Sequence, residues 1–339
     1  MERKILVTGG AGFIGGNFVQ YMVKKYPHDC VYNLDLLTYA GDLTKHRHIE
    51  HEANYVFVKA DITDRQTMVK LFEKEKFDYV VHFAAESHVD RSITDPEIFV
   101  RTNVLGTQVL LDVAQAFQIK KFVHVSTDEV YGELDLDPTT FFTEETPLRP
   151  NSPYSASKAS ADLLVRAYHE TYGLPMNITR CSNNYGPFHF PEKLIPLTIS
   201  RVLNNQKVPV YGDGTNIRDW LHVLDHCLAI DLVMHKGISG EVYNIGGHNE
   251  KTNLEVVKTI IATLKKSEDL IEFVEDRLGH DKRYAIDPTK LEKLGWQPTY
   301  HFDSGIAQTV QWYLHHKAWW EQIISGAYQD YFEKQYALK

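Results

Sequence analysis

The chain has 339 residues, with 36 Lys and Arg against 45 Asp and Glu, giving a net charge of −9 at pH 7. Such an acidic chain is a poor candidate for binding nucleic acid or an anionic membrane, and no apolar run approaches the roughly 20 residues of a membrane helix. The three cysteines exclude a disulfide framework and indicate a reducing, cytoplasmic environment.

Short apolar runs alternate with helical patterns through the first half of the chain. The runs are rich in Val, Phe, Tyr and Ile, which is typical of strands covered on both faces. We predict strands at 4–8, 31–34, 55–59, 79–84, 122–126 and 176–180. With helices between them, these strands predict an α/β fold with a Rossmann-type doubly wound parallel sheet.

The pattern changes after about residue 185, where a loop with Gly and Pro precedes more irregular, turn-rich sequence. A length of 339 residues predicts about two domains. We expect residues 1–185 to form the Rossmann domain, and 186–339 mainly a smaller mixed α/β lobe with C-terminal helices. Val242–Ile245 has the pattern of a strand, so segments near 220–247 are expected to return to the first domain.

A glycine-rich turn follows the first predicted strand and opens a helical pattern over 12–25. Gly10, Gly12 and Gly15 fit G-x-G-x-x-G, and Gly9 also gives G-x-x-G-x-x-G. Glycine is needed because the turn is tight and its backbone must approach a pyrophosphate closely. The helix N-terminus supplies free N–H groups and partial positive charge for the phosphates. The pattern therefore predicts a dinucleotide site.

Two acidic residues stand where strands of this kind end. Asp35 lies 20 residues after Gly15, where a carboxylate accepts hydrogen bonds from the adenosine ribose. No Arg or Lys follows before Lys45, so a 2′-phosphate would meet a negative charge, and NAD is preferred to NADP. Asp61 is a candidate acceptor for the adenine amino group. For Asp35, the alternative is a turn residue at a strand end.

Tyr154 and Lys158 are four residues apart in a predicted helix over 154–172, which places them on one face. A free tyrosine has a pKa near ~10, and we expect the ammonium and a positive nicotinamide ring to lower it. The phenolate could then take a proton from an alcohol while a hydride leaves to NAD. Thr127 offers a hydroxyl beside the tyrosine.

Asp128 and Glu129 follow the predicted strand at 122–126, at the edge where doubly wound sheets bind ligands. Two close carboxylates resist joint ionisation, so one is expected to stay protonated near neutral pH. The pair would provide an acid and a base in one place. The alternative is a solvated loop dipeptide, which the location disfavours.

Five segments carry a resemblance to a known family: 83–92 (FAAESHVDRS), 126–132 (STDEVYG), 181–187 (CSNNYGP), 211–219 (YGDGTNIRD) and 276–281 (DRLGHD). From Lys4 to about Trp320, the chain resembles the extended short-chain dehydrogenase/reductase superfamily. Within it, the chain is similar to the dTDP-glucose 4,6-dehydratases of the dTDP-rhamnose pathway. Leu278 stands where that family usually has Pro.

The resemblance implies a reaction and a role for each candidate catalytic residue. Tyr154, with Lys158 and Thr127, would oxidise the C4 hydroxyl of the sugar. Glu129 would remove the C5 proton, and protonated Asp128 would donate to the departing C6 hydroxyl. Hydride return to C6, with a proton returning to C5, would give a 4-keto-6-deoxy sugar nucleotide and regenerate NAD.

The same resemblance, with the glycine-rich turn, implies two sets of binding residues. NAD is expected to contact Gly9, Gly12, Phe13, Ile14, Gly15, Asp35, Asp61, Ile62, Phe83, Ala84, Ala85, Ser87, Thr102, Tyr154, Lys158 and Asn184. The nucleotide sugar is expected to contact Ser87, Thr127, Asn183, Lys193, Leu194, Pro209, Tyr211, Arg218, Asn253, Arg277, His280 and Asp281. The two arginines suit a pyrophosphate because guanidinium groups form charge-assisted hydrogen bonds to it.

Two other functions stay open. A sugar-nucleotide 4-epimerase needs Tyr154 and Lys158 but no acid–base pair for elimination, so Asp128 and Glu129 discriminate against it. A non-enzymatic NAD-binding regulator is disfavoured because all the candidate catalytic residues, including Thr127, are present.

The resemblance also implies a homodimer, in which the helix of Tyr154 and a helix over 103–117 pack against their counterparts as a four-helix bundle. An apolar stripe at helical spacing permits this arrangement: Val104, Leu105, Val109, Leu110, Val113 and Ala114. The alternative is that the stripe packs only onto the chain's own sheet.

Seventeen histidines invite a metal hypothesis, but neither His-Glu-x-x-His nor Cys-x-x-Cys occurs, so no metal is predicted. His46, His48 and His51 are expected to lie on a solvated helical face or loop. The C-terminal aromatics are expected to pack rather than bind a ligand. Cys181 is expected to be buried beside the cofactor and not to act as a nucleophile.

Overall fold

Strands and helices alternate along the first half of the chain, as predicted. The structure is a computed structural model and describes residues 2–276 and 279–325. Its strands are β1 (Lys4–Thr8), β2 (Cys30–Asp35), β3 (Tyr55–Lys59), β4 (Tyr79–His82), β5 (Lys121–Thr127), β6 (Met176–Cys181), β7 (Asn183–Tyr185), β8 (Val208–Tyr211), β9 (Ile217–His222), β10 (Val242–Ile245), β11 (Glu250–Thr252) and β12 (Ile271–Val274). Its α-helices are α1 (Phe13–Lys25), α2 (Arg65–Glu75), α3 (Val89–Thr94), α4 (Pro96–Phe99), α5 (Thr107–Ala116), α6 (Pro153–Tyr172), α7 (Leu194–Leu203), α8 (Val223–Lys236), α9 (Asn253–Thr263), α10 (Thr289–Glu292), α11 (Phe302–His315) and α12 (Lys317–Ser325).

Seven strands form one parallel sheet in the order β10-β6-β5-β4-β1-β2-β3. The order reverses between β1 and β4, as in a doubly wound sheet, so the predicted fold class is confirmed. The strand predicted at Val242–Ile245 is β10, which pairs with β6. The strand predicted over 79–84 ends at His82, because Phe83 and Ala84 leave it to line a cleft.

Apolar side chains cover both faces of this sheet, which explains the continuous apolar runs of its strands. On one face, α1 and α8 pack a cluster that includes Phe18 and Ile230. On the other, α2, α5 and α6 pack a cluster that includes Phe72, Leu110 and Val165. Each fully buried side chain of this kind stabilises the fold by about 1.5–3 kcal/mol. The two layers therefore hold the carboxyl ends of the strands in a fixed arrangement.

The helix predicted over 103–117 is not a single α-helix. A π-helical segment of 7 residues, Val100–Gly106, precedes α5. The buried Asn103 side chain accepts from the N–H of Glu86 at 2.8 Å and donates to the Glu86 carbonyl and to Ser157 Oγ. These bonds tie the segment to the chain after β4, and π-bulges of this kind are frequent at functional sites.

A smaller lobe is built on two short sheets that follow β6 in the chain. In one, β9 lies between β7 and β11, and in the other β8 pairs with β12. Helices α7, α9 and α11 enclose an apolar cluster with Tyr185 and Trp220. Among the C-terminal aromatics, Trp320 packs in that cluster as predicted, whereas Tyr328 and Tyr331 lie outside the described residues. No helix within 2–276 or 279–325 is long and apolar enough to cross a membrane.

Candidate active site

A cleft of about 500 Å³ opens above the carboxyl ends of the main strands. Residues after both β1 and β4 line it, so it spans the point where the strand order reverses, which is where open α/β sheets bind ligands. The volume falls within the roughly 300–1,000 Å³ of ligand pockets. One side is formed by the turn after β1 and the ends of β2 and β5, and the other by residues of α7 and β8 in the lobe.

Most of the predicted site residues lie together around this cleft. Its lining includes the predicted cofactor residues Gly9, Gly12, Phe13, Ile14, Gly15, Asp35, Asp61, Ile62, Phe83, Ala84, Ala85, Ser87, Thr102, Tyr154, Lys158 and Asn184. It also includes Thr127, Glu129, Asn183, Lys193, Leu194, Pro209, Tyr211, Arg218, Asn253 and His280. Asp128 and Asp281 are buried but do not line it. Arg277 and Leu278 lie outside the described residues.

The glycine-rich turn leaves no space for side chains at two of its positions. A Cβ on Gly9, whose φ is +71°, would lie 2.6 Å from the backbone nitrogen of Ala84. A Cβ on Gly15 would lie 2.4 Å from the Gly9 carbonyl oxygen. The start of α1 therefore meets the cleft as bare backbone, and its unsatisfied N–H groups suit a pyrophosphate.

Asp35 is held at the edge of the cleft by two backbone groups. Its Oδ2 accepts from the N–H of Ala11 at 2.9 Å, and its Oδ1 accepts from the N–H of Leu37 at 2.8 Å. Each carboxylate oxygen keeps a second lone pair, which ribose hydroxyls can use. Asp61 also lines the cleft, although its Oδ1 already accepts from the N–H of Thr63 at 2.8 Å. The turn and these carboxylates fit a dinucleotide.

The helix that carries Tyr154 and Lys158 begins with a capping box. Ser152 accepts from the N–H of Ser155, the Ser155 side chain accepts from the N–H of Ser152, and Pro153 is the first helical residue. This start fixes Tyr154 in the first turn of α6, above the end of β5. Both Tyr154 and Lys158 are buried, and the Lys158 Nζ donates to the Val125 carbonyl oxygen at 2.8 Å.

The expected lowering of the Tyr154 pKa needs a bound nicotinamide ring and stays a prediction, and the protein alone gives the opposite direction for Tyr154. Burial, and then the nearby Glu129 carboxylate, raise its pKa well above the usual value, while a hydrogen bond with Thr127 opposes the shift. The Lys158 ammonium lies one helical turn from Tyr154 and donates to the Val125 carbonyl oxygen. Burial also lowers the pKa of Lys158 to about 8, against the attraction of Asp162.

Asp128 is 1% exposed and does not itself line the cleft. One oxygen accepts from Thr127 Oγ1 at 3.3 Å, and the other, Oδ2, has no hydrogen-bond partner among the described residues. Burial raises its pKa well above the usual range, and the carboxylates of Glu129 and Asp219 add to the effect. The surroundings of Asp128 therefore favour its protonated form, and Glu129 lines the cleft.

The lobe presents a guanidinium group to the opposite side of the cleft. Arg218 lies over the ring of Tyr284, 4.2 Å from its centre, and its Nη2 donates to the Asp281 carbonyl oxygen at 2.8 Å. The Asp281 side chain accepts from Asn151 Nδ2 at 2.8 Å and from the Tyr284 hydroxyl. Asp281 thus holds the segment that supports Arg218, and lies outside the cleft lining.

An aromatic loop between β7 and α7 also lines the cleft, and its residues were not among those predicted. Phe188, His189 and Phe190 all contribute. The His189 ring stacks on Phe13, at the start of α1, with 4.4 Å between ring centres. Three aromatic rings in a loop that follows a strand's carboxyl end are a signal that could have located this part of the site.

Three further expectations concern His46, Cys181 and metal binding. His46 is buried and not solvated: its Nε2 lies 3.3 Å from the Gly16 carbonyl oxygen, and its Nδ1 3.2 Å from Asn33. Cys181 is buried at the cleft, and burial raises the pKa of its thiol, which disfavours a nucleophilic role. Within 2–276 and 279–325, no three His, Cys, Asp or Glu residues are placed to hold a metal ion.

Comparison with known proteins extends the similarity over almost the whole chain. Residues 6–309 match the family described as GDP-mannose 4,6 dehydratase. A dTDP-glucose 4,6-dehydratase of Neisseria meningitidis is 51% identical over 96% of this chain and 98% of its own length. The solved dTDP-glucose 4,6-dehydratase DesIV of Streptomyces venezuelae, with NAD and TYD bound, has 47% identity and a TM-score of 0.91, over 94% of this chain and 99% of that one. The solved dTDP-glucose 4,6-dehydratase of Bacillus anthracis, in complex with NAD, has 52% identity and a TM-score of 0.89, over 95% of this chain and 99% of that one.

Proposed function

The chain belongs to the dTDP-glucose 4,6-dehydratases, within the NAD-dependent epimerase/dehydratase family, and we propose which of its own residues perform each step. It is a hydro-lyase that removes water from dTDP-glucose, and NAD is its cofactor. When bound, NAD supplies redox chemistry, accepting a hydride from C4 of the sugar and returning it to C6.

Tyr154 removes the proton of the C4 hydroxyl. Burial and Glu129 keep the phenol neutral in the protein alone, so deprotonation requires added positive charge in the cleft. The Lys158 ammonium, one helical turn away, remains charged at neutral pH and stabilises the phenolate. The hydrogen bond between Thr127 and Tyr154 also favours the phenolate, because it lowers the pKa of Tyr154.

Asp128 and Glu129 perform the elimination. The C4 ketone acidifies the C5 hydrogen, which the Glu129 carboxylate removes, and neutral Asp128 donates its proton to the leaving C6 hydroxyl. When the hydride returns to C6, a proton that has exchanged with solvent returns to C5. One observation carries this assignment: a buried carboxyl group with an unpartnered oxygen, next to a second carboxyl that faces the cleft. A 4-epimerase has no step that needs such a pair.

We propose that residues 1–185, with segments near 220–247, bind NAD through the glycine-rich turn and Asp35. Residues 186–339 mainly hold the nucleotide sugar, with the diphosphate near Arg218 and Arg277. The support is that Arg218, Lys193 and Tyr211 face the same cleft as the turn. DesIV, which is similar over both halves, was solved with TYD as well as NAD.

The assay of this function is direct. The purified protein is incubated with dTDP-glucose, and the 4-keto product is measured by its alkali-sensitive absorbance. UDP-glucose and GDP-mannose serve as controls for the nucleotide and the sugar. We expect product from dTDP-glucose without accumulation of reduced cofactor, and reduced cofactor that rises in step with product would contradict the internal redox cycle.

Asp35→Asn is expected to weaken retention of NAD by about tenfold or more, because a hydrogen bond to a charged group is worth roughly 1.5–3 kcal/mol. The amide keeps one oxygen for the backbone but loses an acceptor for the ribose. NAD that remains bound after gel filtration measures the effect. Turnover with excess NAD should stay near that of the unmodified protein, and undiminished retention would show that Asp35 does not bind the ribose.

We propose a homodimer formed through α6 and the π-helical segment. Four residues of the predicted stripe are buried within the chain's own fold: Val109, Leu110, Val113 and Ala114. Other apolar side chains of this region are exposed, however. In the π-helical segment, Leu105 is 48% exposed and Val100 is 57% exposed, and on the adjoining α6, Leu163 is 58% exposed. Exposed apolar side chains on packed, neighbouring helices are typical of an interaction surface.

The double variant Leu105→Glu with Leu163→Arg is expected to be monomeric, because it would bury charges in the proposed interface. Light scattering at micromolar concentration distinguishes the two states. Leu136→Arg, at an exposed position in the loop before α6, is the control and should remain dimeric. A monomeric unmodified protein, or a dimeric double variant, would reject this interface.

We also propose a cytoplasmic location. Cys30, Cys181 and Cys227, which are all the cysteines of the chain, are buried and unpaired. Free buried thiols of this kind are typical of proteins in a reducing compartment.

A further inference from the structure

A buried lysine lies directly beneath the glycine-rich turn, and no step of the reaction uses it. Lys45, in the short turn Thr44–His46 between β2 and β3, is 3% exposed. Its Nζ donates to the carbonyl oxygens of Ala11 and Gly12, each at 2.8 Å. Both acceptors belong to the turn that precedes α1, and Lys45 itself does not line the cleft.

Gly16 provides the space for this lysine. A Cβ at that position, inside α1, would lie 2.6 Å from Cδ of Lys45. Glycine destabilises the interior of a helix relative to alanine, and its presence here is explained by the passage of the lysine side chain. The lysine and the glycine therefore form one structural unit, although 29 residues separate them in the sequence.

Lys45 stays mainly charged at neutral pH, although burial disfavours its charged form. Burial lowers its pKa to about 8, against the attraction of the Asp42 and Asp35 carboxylates. His46, in the same turn, is neutral because burial and the neighbouring ammonium lower its pKa to about 4. Asp42 is itself anchored to the C-terminal helix, since it accepts from the Trp319 indole N–H at 2.7 Å.

The hydrogen bond from Lys45 to the Gly12 carbonyl also helps to set the direction of a backbone N–H group, together with the N–H of Gly16, which donates to the same carbonyl oxygen at 3.2 Å. In a trans peptide the N–H is directed opposite to the carbonyl. Holding the Gly12 carbonyl beneath the turn therefore directs the N–H of Phe13, the first residue of α1, away from Lys45. Phe13 lines the cleft, so this orientation places its N–H on the side where a pyrophosphate is expected.

We propose that Lys45 is a positioning residue for the pyrophosphate of NAD. It fixes the turn so that its N–H groups face the phosphates, and it adds a positive charge behind the helix N-terminus. The inference rests on NAD being the cofactor and not on the roles assigned to Tyr154, Asp128 or Glu129. Lys45 acts through the backbone and does not touch the cofactor.

The test compares two probes that share the adenosine group but differ in phosphate. ADP and adenosine are titrated by calorimetry into the full-length protein freed of NAD. Lys45→Met should weaken ADP binding by about tenfold or more, as expected for the loss of charge-assisted hydrogen bonds, and leave adenosine binding nearly unchanged. Lys236→Met, at an exposed position at the end of α8, is the control and should bind both probes normally.

The pH dependence supplies a readout that a merely structural role would not affect. The charged form of Lys45 is present below its pKa, so ADP affinity should fall as the pH rises through about 8. Asp35, Asp42 and His46 are the other titratable groups that face it. Lys45→Met should abolish this fall, and the adenosine titration should show none in either protein.

Gly16→Ala provides an independent variant, because its methyl group would displace the lysine stem. It should reproduce the selective loss of ADP binding in the unmodified chain. In a Lys45→Ala background, Gly16→Ala should cause no further loss of ADP affinity, so the effects of the two substitutions are not additive. Equal losses for ADP and adenosine, or an unchanged ratio of the two affinities in Lys45→Met, would overturn the proposal.

Discussion

Asp128→Asn is expected to slow water elimination by about 10²–10⁴-fold, the usual contribution of general acid–base catalysis. The amide keeps the shape of the carboxyl group and can still accept from Thr127, but it has no proton to give to the leaving C6 hydroxyl. C4 oxidation should survive, because it depends on Tyr154 and Lys158. The variant should therefore form reduced cofactor in a single turnover while product formation falls.

Rapid mixing with dTDP-glucose separates the two steps. The absorbance band of the reduced nicotinamide reports oxidation, and quenched samples report the 4-keto-6-deoxy product. Asp303→Asn, at an exposed position in the first turn of α11, is the control and should behave as the unmodified protein. Dehydration by Asp128→Asn at the unmodified rate would remove Asp128 from the mechanism.

The direction of the Asp128 pKa shift gives a further signature of the same variant. The protonated form is the active acid, and burial raises the pKa of this group well above its usual value. Elimination in the unmodified protein should therefore persist at neutral pH and decline as the pH rises through that pKa. The Asn side chain does not titrate, so the residual elimination of Asp128→Asn should lack this decline.

Tyr154→Phe should abolish both steps, because no group is left to take the proton from the C4 hydroxyl. The loss should again be about 10²–10⁴-fold or larger, since oxidation precedes everything else. The phenylalanine ring keeps the packing of Tyr154 against Phe99, whose ring centre lies 6.3 Å away. The fold should therefore be preserved.

The same rapid-mixing experiment tests this variant. Neither reduced cofactor nor product should form within the time of a normal turnover. Tyr172→Phe, at an exposed position at the end of the same helix, removes a tyrosine hydroxyl outside the cleft and should be fully active. Normal formation of reduced cofactor by Tyr154→Phe would show that another group takes the C4 proton.

The sequence predicted the parts of the site that depend on local pattern. Apolar runs located the parallel strands, and the carboxyl ends of those strands located Asp35 and Thr127. Helical spacing placed Tyr154 and Lys158 on one face, and each of these residues does line the cleft. Such features depend on neighbours within a few residues, so a single sequence contains them.

Other features depend on contacts between distant segments. Lys45 and His46 lie in a polar stretch that resembles a solvated face, and only the approach of α1, with glycine at position 16, buries them. The pKa shift of Tyr154 in the protein alone could not be inferred from its spacing to a lysine, because burial and the Glu129 carboxylate determine the direction of the shift. The π-helical segment is tied to the chain after β4 by hydrogen bonds between Asn103 and Glu86, which no helical pattern reveals.

The fate of the hydrogen atoms at C4 and C5 tests the dehydratase mechanism most directly. The protein converts dTDP-glucose that carries deuterium at C4, and the product is examined by NMR; a second reaction uses unlabelled substrate in deuterium oxide. We predict that the label moves from C4 to C6 of a 4-keto-6-deoxy product, and that one solvent deuterium enters at C5. A label that stays at C4 of a sugar with its C6 hydroxyl intact, or that is lost to solvent, would contradict hydride return within the site.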